Sequence, residues 1–204
     1  MEKTENIIFD LGGVILDIDY NLTRNAFLNL GITDFDGMYS QAGADQLFQK
    51  LETGKISEES FYKELNRRTG LNLLPEAIRI AWNAMLLNFR EGSLHFLDNI
   101  SSKYRIFLLS NTNYIHLTSF NKIFLNKKRE KPFDKYFEKA FYSCEIGLRK
   151  PDRICYEWVL KETGINAGKT LFIDDSVQNI EAAKKVGLQT IHLDEGKYIE
   201  NLGL

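Results

Sequence analysis

Acidic, hydroxyl and amide side chains stand where several apolar runs of this sequence end. Asp10 ends the run NIIFD, Ser110 and Asn111 follow the run RIFLL, and Asp174 and Asp175 end the run TLFIDD. Carboxylates crowded into one site repel each other unless a cation or a proton lies between them. The three aspartates therefore suggest a site for a hard divalent ion. Magnesium fits best, because it prefers few carboxylates together with water and phosphate oxygens.

A lysine supplies the second positive charge that such a site needs. Lys150 lies in the stretch GLRKPD, directly before Pro151. Proline restrains the preceding residue to an extended conformation and can itself open a helix, so the direction of the lysine stem is fixed. We expect its ammonium group to serve as a second positive charge that faces a bound phosphate.

Five apolar runs must position these residues, and each reads as a strand buried on both faces. The predicted strands are Asn6 to Asp10, Arg105 to Ser110, Ala140 to Ser143, Thr170 to Asp174 and Thr190 to Leu193. Helical patterns separate the later strands, at Tyr114 to Phe124, Asp152 to Thr163 and Val177 to Val186. This alternation predicts an α/β fold with a doubly wound, parallel, Rossmann-like sheet. Ligands of such sheets lie beyond the carboxyl ends of the strands, which is where the polar residues stand.

The interval from about Asn21 to Phe89 breaks the alternation, because it has helical patterns and no clear strand. Ser57, followed by two glutamates, is typical of a helix start. We predict an α/β core at residues 1–18 and 90–204, with a helical cap inserted at residues 19–89. Substrate specificity is expected to lie in this cap, while its aromatic side chains are expected to form its own core.

Composition limits the kinds of partner. The chain has 204 residues, 44% hydrophobic and 26% charged, and a net charge of -2. These values describe an ordinary globular protein with no overall attraction to nucleic acid or anionic lipid. No stretch is long and apolar enough to cross a membrane, and no leader is apparent at the N-terminus, so we expect a cytoplasmic protein. A small phosphorylated molecule is the expected partner, and we expect a monomer or a weak homodimer.

Other residues with chemical potential have simpler interpretations. Cys144 and Cys155 have no ligand spacing and are expected to fill the core. The basic stretch at 126–131, NKKREK, is expected to be a solvated loop. Three histidines are scattered along the chain and are given no catalytic role; they are His95, His116 and His192.

The polar strand ends together resemble the four motifs of the haloacid dehalogenase superfamily. The matching stretches are DLGGV at Asp10 to Val14, LLSNT at Leu108 to Thr112, RKPD at Arg149 to Asp152 and FIDDSVQNI at Phe172 to Ile180. Their order and spacing agree over nearly the whole chain, and the helical insertion is similar to the C1 cap of that superfamily. The resemblance implies a phosphatase that works through an aspartyl-phosphate intermediate with Mg²⁺.

The same resemblance implies a role for each matching residue. Asp10 would be the nucleophile, and Lys150 would offset the charge on Asp10 and on phosphate. The phosphate-binding residues would be Leu11, Gly12, Ser110, Asn111 and Lys150. The magnesium ligands would be Asp10, the backbone carbonyl of Gly12, Asp174 and Asp175.

Gly12 departs from this pattern, because most phosphatases of the superfamily carry a second aspartate there that moves a proton. Glycine leaves the backbone carbonyl but no proton-transfer group, a loss commonly worth about 10²–10⁴-fold in rate. A haloacid dehalogenase would also lack this aspartate, but Asp174 and Asp175 argue against that activity, since dehalogenases need no metal. A catalytically weak or silent phosphometabolite-binding protein would tolerate the glycine. A phosphomutase would ordinarily need the missing group.

A working phosphatase is the interpretation we favour from the sequence. A subgroup that resembles glucose-1-phosphate phosphatases also has DLG at the first motif, and the stretch ETGKIS at Glu52 to Ser57 is similar to that subgroup. Departing alcohols that are unusually acidic need less protonation in the transition state. The hypothesis from Gly12 is therefore a preference for phosphates with good leaving groups, with a sugar phosphate as the leading substrate. Asp17 and Asp19 could replace the acid, but capping or turn contacts are the expected roles of both.

Overall fold

A computed structural model describes residues 3–40, 43–127 and 131–204 of the chain. The strands are β1 (Asn6–Phe9), β2 (Leu16–Ile18), β3 (Tyr39–Ser40), β4 (Gly43–Ala44), β5 (Leu86–Phe89), β6 (Arg105–Ser110), β7 (Lys139–Tyr142), β8 (Thr170–Asp174) and β9 (Gln189–His192). The α-helices are α1 (Tyr20–Asn29), α2 (Phe35–Met38), α3 (Gln46–Glu52), α4 (Glu58–Thr69), α5 (Pro75–Asn83), α6 (Glu91–Ile100), α7 (Tyr114–Leu125), α8 (Ser143–Ile146), α9 (Arg153–Thr163) and α10 (Val177–Lys185). Short 3-10 helices span Phe133–Tyr136, Ala167–Lys169 and Ile199–Asn201.

The main sheet has five parallel strands in the order β7-β6-β1-β8-β9. The doubly wound parallel fold predicted from the sequence is confirmed. Strand β1 lies in the middle, and its residue Asn6 is in register with the first residues of β6 and β8. The carboxyl ends of these three central strands therefore meet at one edge, which brings the residues after each strand together.

Alternating side chains of the central strands pack into two separate cores, one on each face of the sheet. Ile7 and Phe9 of β1 contact the cluster that includes helices α6 and α7, while Ile8 contacts the cluster that includes α9 and α10. Both faces of each strand are therefore buried, which is why the strands appear in the sequence as continuous apolar runs. Cys144 and Cys155 are buried free thiols, as expected for core-filling cysteines.

Helices α1 to α5 enclose a third cluster with its own aromatic core. Phe27, Phe48, Phe61 and Trp82 are each fully buried in it, and Trp82 packs against three of the neighbouring aromatic rings. The helix start expected at Ser57 is confirmed, because its hydroxyl accepts a hydrogen bond from the Ser60 amide at 3.2 Å. The division into a core at 1–18 and 90–204 and a cap at 19–89 stays a prediction.

The structure adds short strands where the sequence shows only helical patterns. β5 pairs with β2 in an antiparallel ribbon, and β3 pairs with β4. Strand β5 has only four residues, and three of them are half-buried or exposed, so its sequence shows no clear alternation. It can be recognised as a strand only from its pairing with β2.

The described residues include no helix with the length and apolar character needed to cross a membrane. Helix α7 ends at Leu125, where the basic stretch at 126–131 begins. Residues 128–130 of that stretch lie outside the described residues, so its assignment as a solvated loop stays a prediction.

Candidate active site

The aspartates expected at the strand ends come together at the carboxyl edge of the sheet. Oxygen atoms of Asp10, Asp174 and Asp175 all lie within 4.8 Å of one another. Asp174 is fully buried and Asp10 is buried as well, so water screens their repulsion poorly. We call these three side chains the aspartate cage.

Lys150 lies against the aspartate cage, as predicted from its position in the sequence. Its Nζ atom donates to Asp10 Oδ1 and to Asp174 Oδ2, at 2.7 Å each, and the residue is only 1% exposed. Three carboxylates thus face one ammonium group, and the surplus negative charge and the oxygen donors fit a hard divalent cation.

The peptide segment at Lys150 is held by Asn111. The Asn111 side chain accepts from the Lys150 amide at 2.9 Å and donates to the Lys150 carbonyl at 2.7 Å. The expectation that Pro151 opens the next helix is wrong, because α9 begins at Arg153 with Asp152 at its N-cap. The Lys150–Pro151 peptide bond is cis.

Burial and like charges shift the acidity of the cage. Burial raises the pKa of Asp10 to about 7; Lys150 opposes this shift, and the nearby Asp174 and Asp175 carboxylates add to it. Burial and the Asp174 carboxylate raise the pKa of Asp175 to about 6. Burial alone would lower the pKa of Lys150, but Asp10 and Asp174 outweigh it and raise that pKa well above its ordinary value. The ammonium group is therefore charged, and a cation would relieve the remaining repulsion.

Asp174 is fixed by groups beyond the predicted set. Its Oδ1 atom accepts from the Ser176 amide at 2.8 Å and from the Asn179 side chain at 3.0 Å. Because Lys150 donates to Oδ2, both carboxylate oxygens of Asp174 accept hydrogen bonds. In Asp10, the Oδ1 atom accepts from Lys150. Asn179 was not singled out from the sequence, although it belongs to the stretch FIDDSVQNI.

Gly13 makes room for Asp175. The backbone of Gly13 has a φ of +69°, and an added Cβ would lie 2.3 Å from Asp175 Oδ2. Only glycine combines this conformation with so close an approach at low cost. The glycine pair of DLGGV therefore includes one residue that the position of the acidic side chain requires.

We expect the substitution Gly13→Ala to weaken Mg²⁺ binding by about 10-fold or more, because the added methyl group must displace the Asp175 carboxylate. Isothermal titration calorimetry of the purified protein with MgCl₂ measures this loss. Gly196→Ala is the matched control, since Gly196 also has a positive φ but an added Cβ there meets no atom within 4 Å. Equal Mg²⁺ affinity in Gly13→Ala and the wild type would contradict the prediction.

The direction of a side chain at position 12 is set by the same turn. A Cβ on Gly12 would lie 2.9 Å from Ile18 Cδ1, the far end of a flexible side chain. Gly12 and Leu11 both line the cavity described below. Position 12 therefore carries no proton-transfer group, as the sequence indicates.

Asp17 and Asp19 do not supply the missing group. Asp19 is the N-cap of α1 and accepts from the Asn21 amide at 2.8 Å, which confirms its expected capping role. Asp17 pairs with Arg90 at 2.6 Å. Both carboxylates thus stabilise the segments that join the sheet to the inserted helices.

A cavity of about 130 Å³ opens above the cage. Ser110 and Asn111 line it from the sheet, as expected for phosphate-binding residues. The segment between β2 and β5 contributes Tyr20, Tyr39 and Glu52 to its wall. Ser143 supports the floor, because its hydroxyl group bonds to the Thr112 amide and carbonyl at 2.8 and 2.9 Å. All of the predicted site residues except Asp174 therefore line this one cavity.

Two features of the cavity wall were missed from the sequence. Glu52 and Arg149 form a partly enclosed ion pair at 2.9 Å, although they lie 97 residues apart. His116 also lines the cavity, where its Nε2 atom contacts the Trp82 carbonyl at 3.0 Å, and burial lowers its pKa to about 4. The His116 imidazole is therefore uncharged at neutral pH and offers no positive charge to a phosphate.

Comparisons with known proteins agree with this geometry. Residues 4–187 match the family model of the haloacid dehalogenase-like hydrolases. The chain is 32% identical over 193 residues to a D-ribitol-5-phosphate phosphatase from Bacteroides thetaiotaomicron, covering 94% of this chain and 93% of the relative. It is 26% identical over 214 residues to a phosphorylated carbohydrates phosphatase from Thermotoga maritima, covering 98% and 91%.

A solved structure shares the fold over almost the whole chain. It is a haloacid dehalogenase family enzyme from Bacteroides thetaiotaomicron in complex with magnesium and inorganic phosphate, with a TM-score of 0.83 and 30% sequence identity. The match covers 95% of this chain and 96% of that one. The family model and the first relative each span most of the sequence, and the site lies within the matched residues. The chain therefore belongs to the haloacid dehalogenase-like hydrolases, as its four motifs indicate.

Proposed function

We propose that this chain is a magnesium-dependent phosphatase that hydrolyses a small phosphomonoester, a sugar or polyol phosphate, through an aspartyl-phosphate on Asp10. The observation that carries the proposal is the contact of Lys150 with both Asp10 and Asp174 in an aspartate cage beside an enclosed cavity. The named relatives act on phosphorylated carbohydrates and on D-ribitol 5-phosphate, which supports the same substrate class for this chain.

Each residue of the site would have a defined task. Asp10 would attack the phosphorus atom as the bond to the alcohol oxygen breaks, and the departing oxygen would take its proton from water. A water molecule would then hydrolyse the aspartyl-phosphate, which releases inorganic phosphate and restores the Asp10 carboxylate. Lys150 favours the ionised form of Asp10 and offsets charge on the transferring phosphoryl group. Ser110 and the Asn111 amide hold the phosphoryl oxygens, together with the backbone at Leu11 and Gly12. Asp10, the Gly12 carbonyl, Asp174 and Asp175 would hold the metal, with Asp174 mainly acting through its contacts to Lys150 and Asn179. When bound, Mg²⁺ would neutralise charge on the phosphate.

A phosphate-release screen tests the proposal. It uses ribitol 5-phosphate, aldose phosphates, nucleotides and p-nitrophenyl phosphate, each with MgCl₂ and with a chelator. We expect release that depends on the metal and is lost in Asp10→Asn. Among the substrates whose leaving group is an ordinary alcohol, release should be highest with sugar or polyol phosphates. Release that ignores both the metal and this substitution would contradict the proposal. Phosphate binding without turnover of any substrate would support the alternative, a silent phosphometabolite-binding protein.

The absence of an acid at Gly12 leads to a prediction about leaving groups. Without a side chain to protonate the departing oxygen, the rate should depend on the acidity of that oxygen. We expect kcat/KM to fall steeply as the leaving-group pKa rises across a series of aryl and alkyl phosphates of similar size. A flat plot would show that another group donates the proton.

A further inference from the structure

The Glu52–Arg149 pair joins the inserted helices to the sheet domain inside the cavity. Glu52 is the last residue of α3 and is 3% exposed. Its Oε2 atom accepts from Arg149 Nε at 2.9 Å, and its Oε1 atom accepts from the Tyr39 hydroxyl at 3.2 Å. Burial raises the pKa of Glu52, and Arg149 opposes that shift. A charged pair thus lies at low exposure in the wall of the cavity beside the aspartate cage.

A structural role alone explains this pair poorly. Removing a carboxylate and a guanidinium from water is costly, and apolar contacts hold packed elements at least as well. The same two parts of the chain also approach closely at Gly54, which has a φ of +64° and where an added Cβ would lie 2.2 Å from the Cys144 carbonyl oxygen. A buried ion pair that lines the cavity is therefore a candidate for contact with the substrate.

Tyr20 lines the same cavity as Asp10, Asp175 and Glu52. Burial raises the pKa of the Tyr20 phenol well above its ordinary value, and the carboxylates of Asp175, Asp10 and Glu52 each add to the shift. A substrate whose phosphoryl group lies at Asp10 and whose organic part fills this cavity would therefore meet the wall to which Tyr20 and Glu52 belong.

We propose that Glu52, held by Arg149 and Tyr39, is a specificity-determining residue that accepts hydrogen bonds from hydroxyl groups of the substrate's organic part. This inference rests on the proposed function and narrows it to phosphates of polyhydroxylated chains. Each carboxylate oxygen has a second lone pair beyond the bond it accepts from the protein, and the guanidinium has N–H groups besides Nε. A hydroxyl group can donate to Glu52 while it accepts from Arg149. An apolar chain would instead desolvate the pair without replacing its water.

Two substrates with matched leaving groups test the inference. One is the ribitol 5-phosphate of the screen above. The other is pentane-1,2-diol 1-phosphate, which keeps the carbon skeleton and the hydroxyl next to the leaving oxygen but lacks the distal hydroxyls. We expect the wild type to prefer the first by about 10²-fold in kcat/KM, since a site that hydrogen-bonds a hydroxyl rejects analogues that lack it. In Glu52→Gln the preference should fall below about 10-fold, because an amide is a weaker acceptor than a carboxylate.

Control variants separate recognition from folding. Glu64→Gln makes the same chemical change at another ion-paired glutamate of the inserted helices, which does not line the cavity, and should keep the wild-type preference. Tyr39→Phe removes only the hydroxyl that donates to Glu52, and should lower the preference by about 5-fold. If Glu52→Gln does not fold, the substrate preference of Tyr39→Phe tests the role of Glu52 in its place.

The possible outcomes distinguish this inference from the proposed function. A wild-type preference near one, or an unchanged preference in the Glu52→Gln and Tyr39→Phe variants, would overturn the role of Glu52 while leaving a phosphatase. Absence of phosphate release from every substrate, including p-nitrophenyl phosphate, would overturn the proposed function itself.

Discussion

Asp10→Asn should abolish phosphate release and, in the same protein, increase the stability of the metal-free fold. Removing the nucleophile of a covalent mechanism costs a factor of at least about 10⁴ in rate. The amide has the shape of the carboxylate but removes one of three negative charges that lie within 4.8 Å of each other. Lys150 keeps its contact with Asp174 at 2.7 Å, so the variant leaves no unpaired ammonium. We expect a gain of about 1 kcal/mol in unfolding free energy at pH 8 in the presence of a chelator.

The pH dependence of stability follows from the same charge. The pKa of Asp10 is about 7 in the fold and 3.8 ordinarily, so the folded state keeps a proton that the unfolded chain has already lost. Wild-type stability should therefore decrease as pH rises from about 4 to about 7, and this part of the decrease should be absent in Asp10→Asn. Urea unfolding of both proteins at pH 5 and pH 8 measures the difference.

A matched control uses a carboxylate outside the site. Asp36→Asn changes an exposed aspartate that pairs with Arg24, and it should alter stability by less than about 0.5 kcal/mol and leave phosphate release unchanged. If Asp10→Asn proved less stable than the wild type at pH 8 without metal, repulsion in the aspartate cage would not be the dominant charge effect.

The main sheet and the cage could be predicted because each rests on a local signal. Strands such as Asn6–Phe9 are buried on both faces, so their sequence is a continuous apolar run whatever packs against them. The carboxyl ends of parallel strands lie at one edge of the sheet, so polar residues that follow different apolar runs are predicted to lie close together. This rule brings Asp10 and Asp174 together, whereas Lys150 lies beyond α8 and its segment is also held by Asn111.

Contacts between distant segments could not be predicted, because no local signal names the partner of a side chain. Glu52 belongs to the stretch ETGKIS and Arg149 to the motif RKPD, but neither stretch indicates that the two side chains meet. Only the docking of α3 beside the sheet encloses them. The ribbon of Leu16–Ile18 and Leu86–Phe89 is similar, since each strand is too short to show a period. The resemblance names Asn111 only as a phosphate-binding residue, and the bonds of its side chain to the Lys150 backbone appear only in three dimensions.

The second large effect is expected from Lys150→Met, which should destabilise the fold where Asp10→Asn stabilises it. Methionine fills a similar volume but leaves Asp10 and Asp174 buried without the ammonium group that contacts both at 2.7 Å. Removing one partner of a buried ion pair typically costs about 3–5 kcal/mol, because the remaining charge stays desolvated. Denaturant unfolding at pH 8 with a chelator should show a loss of this size.

Activity and metal dependence should change together in Lys150→Met. Phosphate release should fall by about 10³-fold, since the charge that offsets Asp10 and the phosphoryl group is gone. Added Mg²⁺ should raise the melting temperature of the variant more than that of the wild type, because the cation then faces a cage with no other positive charge in contact. Lys184→Met, which removes a surface lysine paired with Glu181, is the control and should match the wild type in both measurements. Equal unfolding midpoints for Lys150→Met and the wild type would mean that the ammonium group does not compensate the buried carboxylates. A midpoint that falls in Lys150→Met and rises in Asp10→Asn would instead show that the stability of this fold depends on the charge balance of the aspartate cage.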